Sequence, residues 1–546
     1  MKKFLGSFLV CACAIAPFVA CSSDKGSSGS DGGTGGSESG GSKNDNDAST
    51  GGSGAKGGAG GSSGKGGASG SGAMAGTAGT TTDGGDASTT TTDGGGEGGT
   101  TGPLPQAVLC PEANPFSPKN ANSVSIDEVV TTKDEHWTAD KVYLIGDDFT
   151  VQNATLTVDA GTVICLYQSG KIHVGAGIDP GEIHLNGTAD KPIVITTTPS
   201  NGDQAQPDVF HGGIQFDTYM ASTVSYVNIW YGGPGGGGAS WALELTDTAE
   251  GTDKAKPLLL DHVTVGEVQT KGVRIGTKLG VADGSSIRFT GFVTPNSQTP
   301  ALDAVAEVDI RAAKSFNEAF DYSGAFIPAG AKHVNLDANA DESLDSDAEV
   351  TSIGLPYLYK NAQYLEIAGA QDGPGVTLTI DEGVTIEMSG ALIVGTLSGT
   401  AQGDLVIAGS AAKPVVLTSS QDTPAAGDWE GIYFVGGQYD PTKSKIDHAQ
   451  ILYAGVDTSD PLQVAHHIGR CSTNTITTAA IMITSSSSSA PYPGPSITNT
   501  FIAHSASDGI ASDASNSGGQ LSNDYSKATI TFSDIANENL EIGACK

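Results

Sequence analysis

The sequence predicts an all-β fold, built as two copies of one long module and carried behind an extended leader. Three observations lead there. Apolar residues alternate in short runs such as Ile193/Ile195 and Ile214/Phe216, broken about every ten residues by Gly, Asn, Asp or Pro. Blocks of sequence return in the same order, most of them 222 residues later. Residues 22–103 hold hardly any large apolar side chain.

The chain opens with Lys2-Lys3, an apolar run from Phe4 to Val19, and Ala20 before Cys21, the layout of a bacterial export signal over residues 1–20. That run is too short to span a bilayer as a mature helix. "FVAC" (Phe18 to Cys21) resembles a lipobox, in which a small residue precedes the cysteine that is acylated. Cys21 is therefore the expected lipidation site. Each buried methylene of a palmitate-like chain contributes about 0.8 kcal/mol, so two or three chains hold a protein on a membrane. No later stretch is long and apolar enough to be transmembrane.

From Cys21 to residue 103 the chain is mostly Gly, Ser, Thr, Ala and Asp, which cannot offset its ordering entropy, so this linker is expected to be disordered. Its root-mean-square reach is about 50 Å. Removing residues 1–20 takes two of the 27 basic residues and none of the 61 acidic ones, moving the net charge from −34 to −36. Such a surface repels nucleic acid, anionic headgroups and polyuronates. The arginines are Arg274, Arg288, Arg311 and Arg470. Beyond Cys21 the cysteines are Cys110, Cys165, Cys471 and Cys545, an even set that suggests disulfides in an exported chain without choosing among the pairings. No C-x-x-C spacing points to zinc or thiol redox chemistry.

The repeat organises the rest. "LTVDAGTVI" (Leu156 to Ile164) returns as "LTIDEGVTI" (Leu378 to Ile386), and "GTADKPIVITT" (Gly187 to Thr197) as "GSAAKPVVLTS" (Gly409 to Ser419). "GGIQF" (Gly212 to Phe216) and "EGIYF" (Glu430 to Phe434) follow, then "VNIWYGG" (Val227 to Gly233) and "AQILYAG" (Ala449 to Gly455). The domains read as module 1 over 104–336, an acidic connector over 337–355 and module 2 over 356–546. The period-two runs are too short and too numerous for helices, and they fit either a sandwich or a solenoid whose coils share one core. A repeat of this length exceeds one immunoglobulin-like sandwich. Alternation sends Leu156, Val158, Ile193, Ile195, Ile214 and Phe216 inward, with Leu378, Ile380, Val415, Leu417, Ile432 and Phe434, and the shared offset puts both copies on the same rungs.

In that order these blocks resemble the right-handed parallel β-helix modules of exported bacterial surface proteins, over roughly residues 137–335 and 356–545. The resemblance implies a parallel β-helix solenoid and a surface setting, but no activity. One position departs: His211 stands where the pattern has Trp, which the second copy keeps as Trp429.

Parallel β-helices include pectate lyases and polygalacturonases, so their chemistry is sought first. Asp147-Asp148 is the only adjacent aspartate pair in the folded region, without the histidine and basic pair that a uronate hydrolase needs, and it reads as a solvated turn. Asp261-His262 and Asp447-His448 have the form of carboxylate-oriented histidines, but no nucleophile is identified beside them, and they read as exposed turn residues. His466-His467 lacks a third metal ligand. Asp337, Asn339 and Asp341 alternate like the opening of a calcium loop, yet Glu342 and Ala348 occupy the places of its Gly and closing Glu, leaving a loose structural calcium clip or a plain connector. The run "GGPGGGG" has no phosphate-loop lysine. With aromatics at 6%, Trp230, Tyr231 and Trp241 are the candidate glycan platforms.

The expected function is accordingly non-catalytic, with no catalytic residues and no cofactor beyond that calcium. The expectation is a lipoprotein of the outer membrane or cell surface, held to the membrane by its lipid, serving adhesion, contact with extracellular polysaccharide or a surface protein, or envelope scaffolding. The alternative is a polysaccharide-active enzyme, a hydrolase or lyase, acting on a neutral glycan.

Overall fold

The computed structural model describes residues 106–112 and 120–535, interrupted at several loops of which 456–478 is the longest. Cys21, the linker, and Cys545 lie outside the described residues, as do Asn339, Asp341, His466, His467 and Cys471.

The chain folds as a parallel β-helix. In the first copy the strands fall on three faces. The first face carries Glu135–Trp137, Thr155–Asp159, Glu182–Asn186 and the start of Thr223–Trp230. The second carries Val142–Ile145, Val163–Leu166, Ile193–Thr197, the end of Thr223–Trp230, Leu260–Val268 and Ile287–Phe292. The third carries Lys171–Val174, Gly213–Phe216, Leu243–Thr246, Lys271–Gly276, Ala304–Asp309 and Val334–Asp337. All these pairings are parallel; an antiparallel pair, Pro199–Ser200 with Asp203–Pro207, stands apart from them.

Alternation becomes stacking. Leu156 sits beside Ile183, Ile193 beside Val227 and Ile214 beside Leu243, so each inward residue meets another of its kind one coil away. The inward residues expected from the sequence are all buried, none exposed beyond 4%. Burying each such side chain contributes about 1.5–3 kcal/mol, which binds short strands that could not stand alone.

The two copies form one solenoid, but equivalent strands do not share a sheet. Val163–Leu166 belongs to the 11-stranded sheet, whereas its counterpart Thr385–Met388 continues the 14-stranded sheet that the third face of the first copy began. The counterparts of that third face, Ala391–Val394 and Ile432–Phe434, form a six-stranded sheet of their own. The expectation of shared rungs is thus corrected: the second copy is advanced by one face. The change happens where the helix Ala313–Ala319, the only α-helix among the described residues, interrupts the strands. Lys314 Nζ reaches Glu349 at 2.7 Å and Asn317 Nδ2 donates to Thr351 at 2.6 Å, seating the next coil on the helix. The acidic stretch between the copies carries the strands Ser343–Leu344 and Ala348–Val350, which begin two sheets of the second copy.

Faces meet at left-handed residues. Tyr226 (φ 50°) and His262 (φ 56°) divide their strands between the first and second faces, and His448 (φ 52°) and Asn499 (φ 49°) stand at the matching corner of the second copy. A bulky residue in this region costs about 1 kcal/mol or more, so neighbours must hold it there.

Candidate functional site

The richest cluster of charge lies outside the third face. Each strand there carries one polar residue between two apolar ones: Ile172-His173-Val174, Ile214-Gln215-Phe216, Leu243-Glu244-Leu245, Val273-Arg274-Ile275, Ala306-Glu307-Val308 and Val334-Asn335-Leu336. Parallel register places His173 beside Gln215, Gln215 beside Glu244, Glu244 beside Arg274, Arg274 beside Glu307 and Glu307 beside Asn335. Neighbouring strands run about 4.8 Å apart, so these side chains lie side by side.

Lys171 Nζ donates to Gln215 Oε1 at 2.8 Å and to Glu244 Oε2 at 3.2 Å. Arg274 Nη1 donates to Glu244 Oε1 at 3.0 Å, while its Nε lies 2.7 Å from Glu307 Oε1 and its Nη2 lies 3.7 Å from Asp337 Oδ2. The Glu244 side chain is only 5% exposed and that of Lys171 11%. Burial opposes the charge of Arg274, but Glu307, Glu244 and Asp337 outweigh it and raise the guanidinium pKa. Burial raises the Glu307 carboxyl, with Arg274 pulling the other way and Asp337 adding to the rise. His173 is lowered, first by burial and then by the charge of Lys171.

General acid–base chemistry needs a carboxyl or amine turned toward a substrate. Here both Glu244 oxygens are engaged, and Arg274 faces Glu244, Glu307 and Asp337 together. The charges close on one another and brace successive coils. Sequence reading missed this ladder because its successive members lie 28 to 44 residues apart, from Glu307 and Asn335 at the short end to Lys171 and Gln215 at the long one. The available signal was the recurring apolar–polar–apolar triplet, which becomes a ladder only once the coils are aligned.

The residues singled out from the sequence fall elsewhere. Trp230 and Trp241 are buried, at 1% and 2% exposure, so neither is a glycan platform. Gly266 makes room for the Trp230 ring, since a Cβ there would stand 2.6 Å from it. Trp241 lies under Lys271 Nζ, 5.4 Å from the ring centre, a cation–π contact. Tyr231 is half-buried on a left-handed corner, edge-on to Phe210. Asp148 accepts from the Lys171 backbone N–H at 3.0 Å, a strand-start contact. His262 Nδ1 lies 2.6 Å from Asp261 and its ring stacks on Tyr226 at 4.5 Å. Asp447, 3.0 Å from His448, also accepts from Thr498 at 2.8 Å and from Asn499 at 2.9 Å. Asp337 serves the charge ladder; among the described residues no group of three or more His, Cys, Asp or Glu is placed to hold a metal ion.

Cys110 and Cys165 form a disulfide. It ties residues 106–112 across the outside of the second face, where Leu144 and Cys165 sit in register and Thr196 Oγ1 donates to the Val108 carbonyl at 2.6 Å. Among the described residues no helix is long and apolar enough to cross a membrane.

Residues 358–464 match the family model described as a pectate-lyase like beta helix domain. No curated protein and no solved structure matches the chain.

Proposed function

We propose that the protein is a non-catalytic lipoprotein that displays its β-helix at the outer membrane or cell surface for adhesion or for contact with extracellular polysaccharide or a surface protein. The observation that carries this reading is the closed state of the ladder: Arg274, the cation best placed to grip or activate a substrate, faces three carboxylates of its own chain. The Asp–His pairs are spent on corners between faces. A pectate-lyase like helix fits an enzyme equally well as a fold, so the distinction rests on the side chains. Attachment through acyl chains on Cys21 and the linker after it supply the display, and the net charge of −34 disfavours nucleic acid as a partner.

The test is product release. The full mature chain is incubated with neutral glycans and with polygalacturonate, and reducing ends and ultraviolet-absorbing unsaturated ends are followed. No release is expected. Turnover that disappears in Glu244→Gln or Arg274→Lys would replace this reading with the enzymatic one.

A further inference from the structure

We infer that the segment 106–112 and its disulfide form a clamp that carries the pull of the linker past the open end of the solenoid and into its interior; this rests on the lipid-anchored reading above, which supplies the pull. On the second face the strands follow in the order Ser123–Ile126, Val142–Ile145, Val163–Leu166 and Ile193–Thr197. The segment runs against that order. The Val108 carbonyl accepts from Thr196 Oγ1 on the fourth strand at 2.6 Å, Cys110 is bonded to Cys165 on the third, and Glu112 Oε1 accepts from Ser123 Oγ on the first at 2.8 Å. The chain therefore joins the solenoid at the fourth strand and descends from there to the open end.

The two ends of this path differ in strength. Ser123–Ile126 is the last strand of its sheet, paired on one side only among the described residues, and all four of its residues are half-buried. Val129 and Val130 of the same coil are exposed. A pull arriving there would open the pairs of an edge strand one after another, at little cost for each. Val163–Leu166 is paired on both sides. Cys110, Leu144 and Cys165 are buried together in a small cluster of their own, with Val142 and Val163 packed against it. The Cys110 N–H also donates to the Thr197 carbonyl at 2.9 Å. Load that enters at Cys165 must break two pairings together.

Position distinguishes this bond from a simple staple. A disulfide restrains the unfolded loop that it closes wherever the loop lies. This one stands after the linker and before the first strand, so it takes the stretch between Cys110 and Cys165, of sequence separation 55, out of the pulled path. Released, that stretch would lengthen the leash by about 180–200 Å.

The experiment is constant-load trapping of the full mature chain, held by its amino end and by a handle on Lys413→Cys, an exposed position in the second copy. With Cys110→Ala and Cys165→Ala the first coils should open about tenfold sooner or more at the same load, and the early step should include the length released between those two positions. The same chains held instead at Lys413→Cys and at the carboxyl end should have equal lifetimes, because that load does not cross the clamp. Wild type reduced after folding, with both thiols shown free by labelling, repeats the comparison on a chain that folded with its bond. Equal lifetimes under load from the amino end, or equal shortening in both geometries, would overturn the inference. Absence of palmitate from wild-type Cys21 would instead overturn the anchored reading and leave these lifetimes as they are, so the two failures are distinct.

Discussion

His211 and Trp429 stand at the same point of the two copies and do the same thing with different rings. His211 Nε2 donates to the carbonyl of Trp230 at 2.8 Å, and Trp429 Nε1 donates to the carbonyl of Leu452 at 2.8 Å. The Gly213 N–H donates to His211 Nδ1 at 2.9 Å, which places the proton on Nε2 and leaves the ring neutral. Fully buried, His211 has its pKa lowered by desolvation to about 4.

His211→Ala leaves a buried carbonyl and a buried N–H without partners and should cost about 2 to 4 kcal/mol near neutral pH. A depressed folded-state pKa means that the unfolded chain takes up a proton first, so the stabilisation from His211 is lost as pH falls from about 6.5 toward 4. Denaturant melts of wild type and variant should therefore converge over that range. A constant difference between them would show that His211 is not held neutral.

Glu430 acts in the opposite direction. Burial raises its carboxyl to about 7, so the folded state keeps a proton that the unfolded state releases near 4.5. Its contribution is present below the unfolded value and is lost as pH rises through about 7. Glu430→Gln should raise stability by about 1 kcal/mol at slightly alkaline pH and leave it unchanged under acid conditions. Thermal melts across that range check it.

Arg274→Ala leaves Glu244, Glu307 and Asp337 together without their shared cation. Removing one partner of a buried pair costs about 3–5 kcal/mol, and the partial exposure of Arg274 puts the expected loss at the lower end. Glu307 is raised in the wild type, first by burial, and loses the opposing pull of Arg274 in the variant. The defect should accordingly shrink as pH falls and that carboxyl protonates. Gln215→Ala, which takes a partner from Lys171, should cost about 1 kcal/mol, and Ile214→Ala about 2 to 5 kcal/mol.

Reducing the disulfide between Cys110 and Cys165, or replacing both by Ala, opens a loop of sequence separation 55. The loss should be about 2 to 4 kcal/mol. Proteolysis should then cut first around residues 106–112, which the bond holds against the second face. Unchanged protection would show that Thr196 and its neighbours hold the segment alone.

Cys21→Ala removes the thiol that the proposed anchor requires. Fractionation with labelled palmitate should find the variant unlabelled and outside the membrane. Unchanged membrane partition would place the anchor elsewhere.

By itself the sequence determined the strands and their inward faces, because alternation is a local property: Ile193, Ile195, Ile214 and Phe216 are buried for the same reason that they can be read. It also determined that the module is used twice. It left the cysteine pairing open, and only stacking of the coils brings Cys165 under residues 106–112. The charge ladder was hidden for the same reason, since Glu244 and Arg274 become neighbours only when two coils align. Trp230 and Trp241 misled because they flank the Gly-rich run "GGPGGGG", which reads as an open loop, whereas Gly266 and Lys271 give each ring a buried seat. The one-face advance of the second copy was likewise beyond a repeat offset. An offset counts residues along the chain, while the helix Ala313–Ala319 and the coil seated on it set the direction in which the next copy begins.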